Sequence, residues 1–182
     1  MEFIQADWPL SDKIICLSTT ANGGVSKGPF ASLNIGAHVG DDLISVNQNR
    51  DRLNAALKKR LPEAESICWL NQTHSNVCIS LDNPPKCAAK EPMSADAVIT
   101  TSKYQACTVM TADCLAIMLA DKSGNQVAAV HAGWRGLIDG VIENTLSHFI
   151  CPTADIYAWF APAISATNFE IGQELADLFE AY

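Results

Sequence analysis

Short runs of apolar and β-branched residues alternate along this chain with polar segments that contain glycine. Runs of four to eight such residues bounded by turn-forming residues predict β-strands. We expect strands near residues 13–19, 66–71, 77–80, 97–100, 107–110, 115–120, 126–130 and 155–160.

Other segments carry apolar residues at helical spacing. One helix is expected to follow the acidic pair Asp41-Asp42, which can cap its N-terminus, and two more are expected within residues 137–149 and 170–182. The most loop-like stretch, residues 82–93, should be a surface excursion. With no repeat and no linker, residues 1–182 are expected to form one α/β domain built around a mixed sheet.

The composition narrows the class of protein. The chain has 182 residues, of which 48% are hydrophobic and 18% charged, a balance that is typical of a globular domain. Its net charge of −8 argues against nucleic acid as a partner, since phosphate contacts need clustered Lys and Arg. No segment reaches the roughly 20 apolar residues that span a bilayer. We therefore expect a cytoplasmic monomer that does not bind membranes.

The cysteines are expected to be reduced. There are seven of them, they lack paired spacing, and most stand inside apolar runs, which is typical of buried thiols. A cysteine that is not a buried thiol would be a metal ligand or a nucleophile.

Three polar residues that can carry chemistry stand at strand edges. His74 lies in a polar stretch between two expected strands, Cys114 directly precedes an apolar run, and His131 ends another. In α/β proteins, strand ends that lead into helices are frequent ligand sites. Arg135, at the start of the expected helix, could hold an anion. The structural alternatives are a hairpin turn around His74 and a tight turn with a solvated Arg135.

Two imidazoles and one thiolate match the three-ligand pattern of catalytic zinc, in which the fourth position stays open. The residues alone leave two other interpretations. Cys114 could be a nucleophile activated by a histidine, or the set could bind one copper ion with Met110 or Met118 as an axial ligand. The chain has only four histidines, too few for a multicopper oxidase.

The two remaining histidines are weaker candidates. His148 lies in an apolar helical stretch, so we interpret it as a helix-end residue. His38 follows a polar loop and is the only candidate for a fourth ligand, which would make a zinc site purely structural.

Several motifs, taken in order over residues 18–172, resemble the YfiH family, which is also labelled the laccase-domain or polyphenol oxidase family. They are Gly23-Gly24-Val25-Ser26, Ser32-Leu33-Asn34-Ile35-Gly36, Gln72-Thr73-His74, Thr111-Ala112-Asp113-Cys114 and His131-Ala132-Gly133-Trp134-Arg135-Gly136.

The resemblance implies a three-layer α/β/α fold and zinc held by His74, Cys114 and His131. It also implies a zinc-dependent purine nucleoside phosphorylase, acting on adenosine, inosine, guanosine or methylthioadenosine, with adenosine deaminase activity. The substrate pocket would draw on the loops around Asn34 and Gln72.

Two further roles come from charge and position rather than from the resemblance. We assign phosphate binding to Arg135 and proton transfer to Asp113. The alternative functions are a copper-linked polyphenol oxidase and a Cys-His hydrolase or amidase acting on a cell-wall precursor.

This sequence departs from the family pattern in places. The segment before Gly23 lacks the usual Arg, Ser75 stands where Gly is usual, and residues 161–165 are less rich in glycine. Family members also continue beyond the position of Tyr182, so the chain is expected to lack the family's C-terminal segment and to have an incomplete core or pocket.

Overall fold

The computed structural model describes residues 1–10, 12–82 and 92–180. Its helices and strands follow in the order β1 (Phe3–Gln5), β2 (Leu17–Thr19), α1 (Leu43–Arg60), β3 (Cys78–Ser80), β4 (Ala97–Thr100), β5 (Leu115–Asp121), β6 (Val127–Ala132), α2 (Trp134–Ile138), α3 (Val141–Ser147), β7 (Ile156–Phe160) and α4 (Gln173–Glu180). The α/β class predicted from the sequence is confirmed.

Five strands form one mixed sheet in the order β3-β4-β6-β5-β7. Strands β3 and β4 are parallel, and the other neighbours are antiparallel. In the β5–β6 pair, Leu115 lies opposite Ala132 and Ala116 opposite His131. The start of β5 therefore lies beside the end of β6. Strands β1 and β2 form a separate antiparallel pair.

Helices α2 and α3 cover one face of the sheet. Val141 and Phe149 pack with Ile99, Ile117 and Val130, which the alternation along the strands places on that face. Val130 and Val141 are completely buried, and burying a valine side chain contributes roughly 1.5–3 kcal/mol.

Extended segments cover the opposite face, and α1 lies over them. Cys68 and Leu70 pack against Val98 of β4. Helix α1 joins the same segment, because the Ile67 N–H donates to Asn54 Oδ1 at 2.9 Å. The result is helices on both sides of the sheet, as the family resemblance implies.

Several elements differ from the sequence prediction. Residues 66–71 and 107–110 are not strands. They pack on the sheet through apolar side chains such as Leu70 and Val109. Among the described residues, the one isolated β-bridge joins Asn71 to Ser94, which lies before β4 and outside the sheet. The pair β1–β2 includes a strand that the sequence analysis did not predict. The excursion expected at residues 82–93 lies mostly outside the described residues.

The helix expected at residues 137–149 is two helices. Gly140 separates α2 from α3 and has a φ of 82°, a left-handed conformation that favours glycine. The apolar stripe continues across the break because both helices pack on the same sheet face.

Among the described residues, the structure has five free cysteines, at positions 16, 78, 107, 114 and 151. Cys68, in contrast, is disulfide-bonded. The expectation that all thiols are reduced is therefore wrong at Cys68, where no local Cys spacing marks the bond. In the described part of the chain, no helix is long and apolar enough to cross a membrane.

Candidate metal centre

His74, Cys114 and His131 come together where β5 begins and β6 ends, in the interior of the sheet. Their ligand atoms all lie within 4.8 Å of one another. Sγ of Cys114 is 4.0 Å from Nε2 of His74, and the two imidazole centroids are 4.8 Å apart with an interplanar angle of 70°. Among the described residues this is the one group of three or more potential ligands that could hold a metal ion.

The strand register brings two of these residues together. Cys114 directly precedes β5 and His131 is the penultimate residue of β6, and these antiparallel strands are neighbours. His131 is buried, with 4% of its surface exposed, whereas Cys114 and His74 are partly open to solvent.

His74 reaches the group from a strained turn. Its φ is 61°, a left-handed conformation that a side chain with a Cβ adopts infrequently, although histidine tolerates it better than most. The turn is held by Asp96, which accepts hydrogen bonds from the backbone N–H groups of Thr73, His74 and Ser75 at 3.1, 3.0 and 2.6 Å.

Asp96 also holds the second imidazole. Its Oδ1 lies 2.8 Å from Nδ1 of His131, and its carbonyl oxygen accepts from the His131 N–H at 2.7 Å. Burial raises the pKa of Asp96, but hydrogen bonds from His131, Ser75 and Thr73 outweigh it and hold the pKa far below its usual range. The sequence analysis did not single out Asp96. The available signal was a lone carboxylate directly before an apolar strand.

The pKa shifts at the site argue against a nucleophile that works without a metal. Burial lowers the pKa of His74, with a further contribution from the charge of His131, which keeps the imidazole neutral and able to bind a cation. Burial and the nearby carboxylates of Asp113 and Asp96 raise the pKa of Cys114. A bound cation reverses that preference and stabilises the thiolate, whereas a nucleophile without a metal needs a lowered pKa.

Charged residues surround the open side of the group. Arg135 is exposed and stacks over the Trp134 ring at 4.0 Å, and its charge contributes to the lowered pKa of His74. Asp113 is exposed next to Cys114. His38 also influences the pKa of His74, but it does not belong to the ligand group found in the described chain.

Asn34 and Gln72 make hydrogen bonds within the protein. The Asn34 amide donates to Asp41 Oδ2 at 3.0 Å and accepts from the Gly36 N–H at 3.0 Å. Gln72 makes two bonds with the backbone of Met110, at 2.7 and 2.6 Å. Both side chains therefore fix the loops in which they lie, and their contact with substrate stays a prediction.

The three side chains fit a single thiophilic ion. Metal–nitrogen and metal–sulfur bonds in zinc sites sum to about 4.4 Å, so one ion can bridge the 4.0 Å between His74 and Cys114. The two methionines of the copper alternative have other contacts. Met118 packs into the core with Ala129, and the Met110 sulfur accepts a hydrogen bond from Arg50 at 3.8 Å.

A cavity of about 960 Å³ lies apart from the metal ligands. It is lined mainly by apolar side chains between α1 and the sheet, including Leu53, Leu57 and Met118. None of the three ligands lines it, so its volume does not describe the candidate site.

Comparison with known proteins places the chain in a family. The model of the family described as multi-copper polyphenol oxidoreductase laccase matches residues 15–182. The chain belongs to this laccase-like family. The family's name refers to several copper ions, whereas the described residues of this member bring together one set of three ligands.

Similar proteins confirm the resemblance to YfiH. A purine nucleoside phosphorylase of Haemophilus influenzae is 42% identical over 179 residues, which are 98% of this chain and 70% of that protein. The purine nucleoside phosphorylase YfiH of Escherichia coli strain K12 is 41% identical over 180 residues, 99% of this chain and 71% of that protein.

Solved structures of similar proteins share the fold of this chain. The crystal structure of a Neisseria meningitidis protein, NMB0706, is 41% identical with a TM-score of 0.86, and the match covers 98% of this chain and 70% of that one. YlmD from Geobacillus stearothermophilus is 29% identical with a TM-score of 0.82, covering 98% and 68%.

Proposed function

We propose that this protein is a zinc-dependent purine nucleoside phosphorylase with adenosine deaminase activity, in which His74, Cys114 and His131 bind the zinc. The observation that carries the proposal is the convergence of two imidazoles and one thiol at the end of β6, beside an exposed arginine. The names of the similar Haemophilus and Escherichia proteins supply the substrate class.

The ligand set supports zinc. A site with two nitrogen donors, one sulfur donor and an open position is the usual arrangement of catalytic zinc, and thiolate with imidazole also suits copper. When bound, zinc would supply a Lewis acid that polarises a substrate or activates water.

In phosphorolysis, the residues of this chain would bind phosphate and direct it. Arg135 is a permanently charged guanidinium suited to a phosphate oxyanion. A phosphate oxygen attacks C1′ of the ribose, the bond from C1′ to the base nitrogen breaks, and the base leaves with the bonding electron pair. The departing base is protonated, and the products are the free purine and ribose 1-phosphate.

In deamination, water adds to C6 of adenosine and ammonia leaves, which gives inosine. This step needs a group that takes a proton from the water and returns one to the leaving amine. Asp113 is exposed beside Cys114, so we assign it this role. We further propose that the loops around Asn34 and Gln72 line the nucleoside pocket.

The proposed enzyme would work as a cytoplasmic monomer on small molecules, without nucleic acid or membrane as a partner. The net charge of −8 supports the exclusion of nucleic acid, because binding to a phosphate backbone relies on clustered Lys and Arg residues.

The family description favours one competing function, a copper-dependent polyphenol oxidase. The histidine supply opposes it, because the chain has only four histidines and one of them, His148, bonds the Asn144 carbonyl through Nδ1 at 2.8 Å on the protein surface. Two imidazoles and a thiol suffice for one copper ion at most.

The deciding experiment incubates the purified chain with adenosine or inosine, with and without phosphate, and separates the products by chromatography. We expect adenine or hypoxanthine release that depends on phosphate and inosine formation that does not. Cys114→Ala should abolish both, and Cys151→Ala, a free cysteine remote from the ligand group, should abolish neither. Full turnover by Cys114→Ala would refute the metal-centred proposal. Copper-dependent oxidation of a phenol, without nucleoside turnover, would favour the oxidase instead.

A further inference from the structure

Asp96 is a completely buried carboxylate that contacts two of the three proposed metal ligands. Its exposure is 0%, and it lies directly before β4, the strand that pairs with β6. A buried carboxylate is costly unless donors surround it. The hydrogen-bond donors around the Asp96 carboxylate therefore indicate its role.

In the described part of the chain, backbone N–H groups, a hydroxyl and one imidazole nitrogen surround the Asp96 carboxylate. Oδ1 accepts from the His74 N–H at 3.0 Å and faces His131 Nδ1 at 2.8 Å. Oδ2 accepts from the N–H groups of Thr73 and Ser75, and from the Ser75 hydroxyl at 2.8 Å. A carboxylate in this environment acts only as an acceptor, so the proton of a neutral His131 must be on Nδ1.

That protonation pattern matters for metal binding. A neutral imidazole has one nitrogen with a proton and one with a free lone pair, and only the second can bind a metal. With the proton on Nδ1, the lone pair of His131 is on Nε2. The same carboxylate fixes the ring, and its bonds to residues 73–75 hold the left-handed turn that presents His74, whose φ is 61°.

We propose that Asp96 is a positioning residue for the metal centre: it fixes the Nδ1–H form and the orientation of His131 and, at the same time, holds the turn that carries His74. The proposal rests on the proposed role of His74, Cys114 and His131 as ligands. Carboxylates that orient ligating histidines in this way typically affect metal affinity by 10–100-fold.

Asp96→Asn is the informative substitution, because it keeps the shape of the side chain and replaces one acceptor oxygen with an amide NH2 donor. The donors that faced that oxygen must then face another donor. If the amide NH2 faces His131, the histidine is driven to the Nε2–H form, which cannot bind a metal through Nε2. If it faces Ser75, the turn of His74 loses its anchor.

Asp82→Asn is the matched control. Asp82 is also a carboxylate that holds a turn next to β4, but at the opposite end of the strand, where it accepts from the N–H and hydroxyl of Thr101 at 2.8 and 2.7 Å. It belongs to neither the ligand group nor its supports. It therefore reports the effect of losing a carboxylate that holds a turn, without the effect on the metal.

The first measurement uses metal-free protein. Long-range proton–nitrogen NMR correlations distinguish the two neutral forms of an imidazole, and we expect the Nδ1–H form for His131 in the unsubstituted chain. The Nε2–H form there would overturn the proposal, whether or not any variant folds. Because no metal is involved, this result is independent of the zinc proposal.

The second measurement titrates metal-free protein with Co²⁺, which reports thiolate ligation by its visible absorption, and then displaces it with Zn²⁺. We expect Asp96→Asn to weaken metal affinity by about 10–100-fold and Asp82→Asn to leave it within about twofold of the parent value. If Asp96→Asn is destabilised but binds metal as the parent does, Asp96 is only structural and the proposal is wrong. If the parent chain binds no metal while His131 has the Nδ1–H form, the zinc proposal fails and the role of Asp96 in metal binding fails with it, whereas the contacts by which Asp96 fixes His131 and the turn of His74 are unaffected.

Discussion

A Cβ atom on Gly133 would lie 2.8 Å from Cδ2 of His74 and 3.2 Å from Sγ of Cys114. Gly133 is the residue between β6 and α2, so the chain passes directly behind two of the proposed ligands. Real Cβ atoms do not approach other heavy atoms to 2.8 Å, and His74 would have to move. Because glycine has no Cβ atom, it keeps free the volume that the side chains of His74 and Cys114 occupy.

Gly133→Ala should reduce metal affinity by about tenfold or more, because sites tolerate little displacement of their ligands. The expected effect is on binding rather than on the fold. Elemental analysis after dialysis against a weak chelator, together with Co²⁺ titration, measures it.

Gly172→Ala is the control for that substitution. Gly172 has no neighbouring atom within 4 Å of a Cβ position and lies outside the left-handed region, so alanine should leave metal content unchanged. Equal metal affinity for Gly133→Ala and the parent chain would show that the ligand set tolerates the methyl group, and that the steric argument is wrong.

The second prediction concerns stabilisation by the metal. A ligand that binds only the folded state stabilises it by about 2.7 kcal/mol at a concentration 100 times its dissociation constant. We expect zinc to raise the free energy of unfolding of the parent chain by about this amount, and to have little effect on Cys114→Ala. Urea unfolding with zinc and with chelator measures the difference. An equal zinc effect in Cys114→Ala would place the ion elsewhere.

The sequence predicts the positions of Cys114 and His131 well, for a physical reason. Each stands at the end of an apolar run, and the runs become neighbouring antiparallel strands whose register places Leu115 opposite Ala132. The apolar pattern of the two strands and their burial in the sheet thus bring the side chains of Cys114 and His131 together. The sequence also groups His74 with them by residue type, but its pattern places His74 only in a polar stretch between two expected strands, because the position of this side chain depends on bonds to Asp96, which is distant in sequence.

The same limit explains the strands that did not form. Apolar residues of both segments pack on the sheet, where Leu70 is buried and Val109 is partly buried. Periodicity reports burial but not the hydrogen-bond partner of the backbone. In the structure, a side chain replaces the backbone partner of a neighbouring strand. The Gln72 amide makes hydrogen bonds with both the C=O and the N–H of Met110.

The third prediction concerns Asn49, a buried side chain of α1 that sequence analysis did not identify. Its exposure is 0%. Its carbonyl accepts from the Val25 N–H at 2.8 Å, and its amide donates to Ser26, Ser32 and Asn34, the last at 2.7 Å. One side chain thus joins α1 to both glycine-containing loops of the N-terminal region.

Asn49→Ala should therefore destabilise the protein by about 2–4 kcal/mol, since it removes the side-chain partner of the Val25 N–H and of the Asn34 carbonyl, at a cost of about 1–3 kcal/mol for each group left unpaired before relaxation. Urea unfolding measures the change. Gln48→Ala, at an exposed position of the same helix, should stay within about 0.5 kcal/mol of the parent. Equal stabilities for the two variants would contradict the anchoring role of Asn49.

The last prediction is a pH dependence of stability that arises at Asp82. Burial raises the pKa of Asp82, but hydrogen bonds from Thr100 and Thr101 outweigh it, so its pKa in the folded protein lies below the ordinary value. A carboxyl group with a lowered folded pKa stabilises the protein above its unfolded pKa, near 3.9, and that stabilisation is lost as the pH falls through the folded pKa.

Asp82→Asn should thus be less stable than the parent at pH 7, by less than about 1 kcal/mol because the site is exposed to solvent. The difference should shrink as the pH is lowered from 5 towards 3, since the parent then loses the charge that the variant never had. Urea midpoints of metal-free parent and variant at pH 7, 5 and 3 test this. A difference that stays constant over that range would mean that the charge of Asp82 is not what stabilises the turn at Thr101.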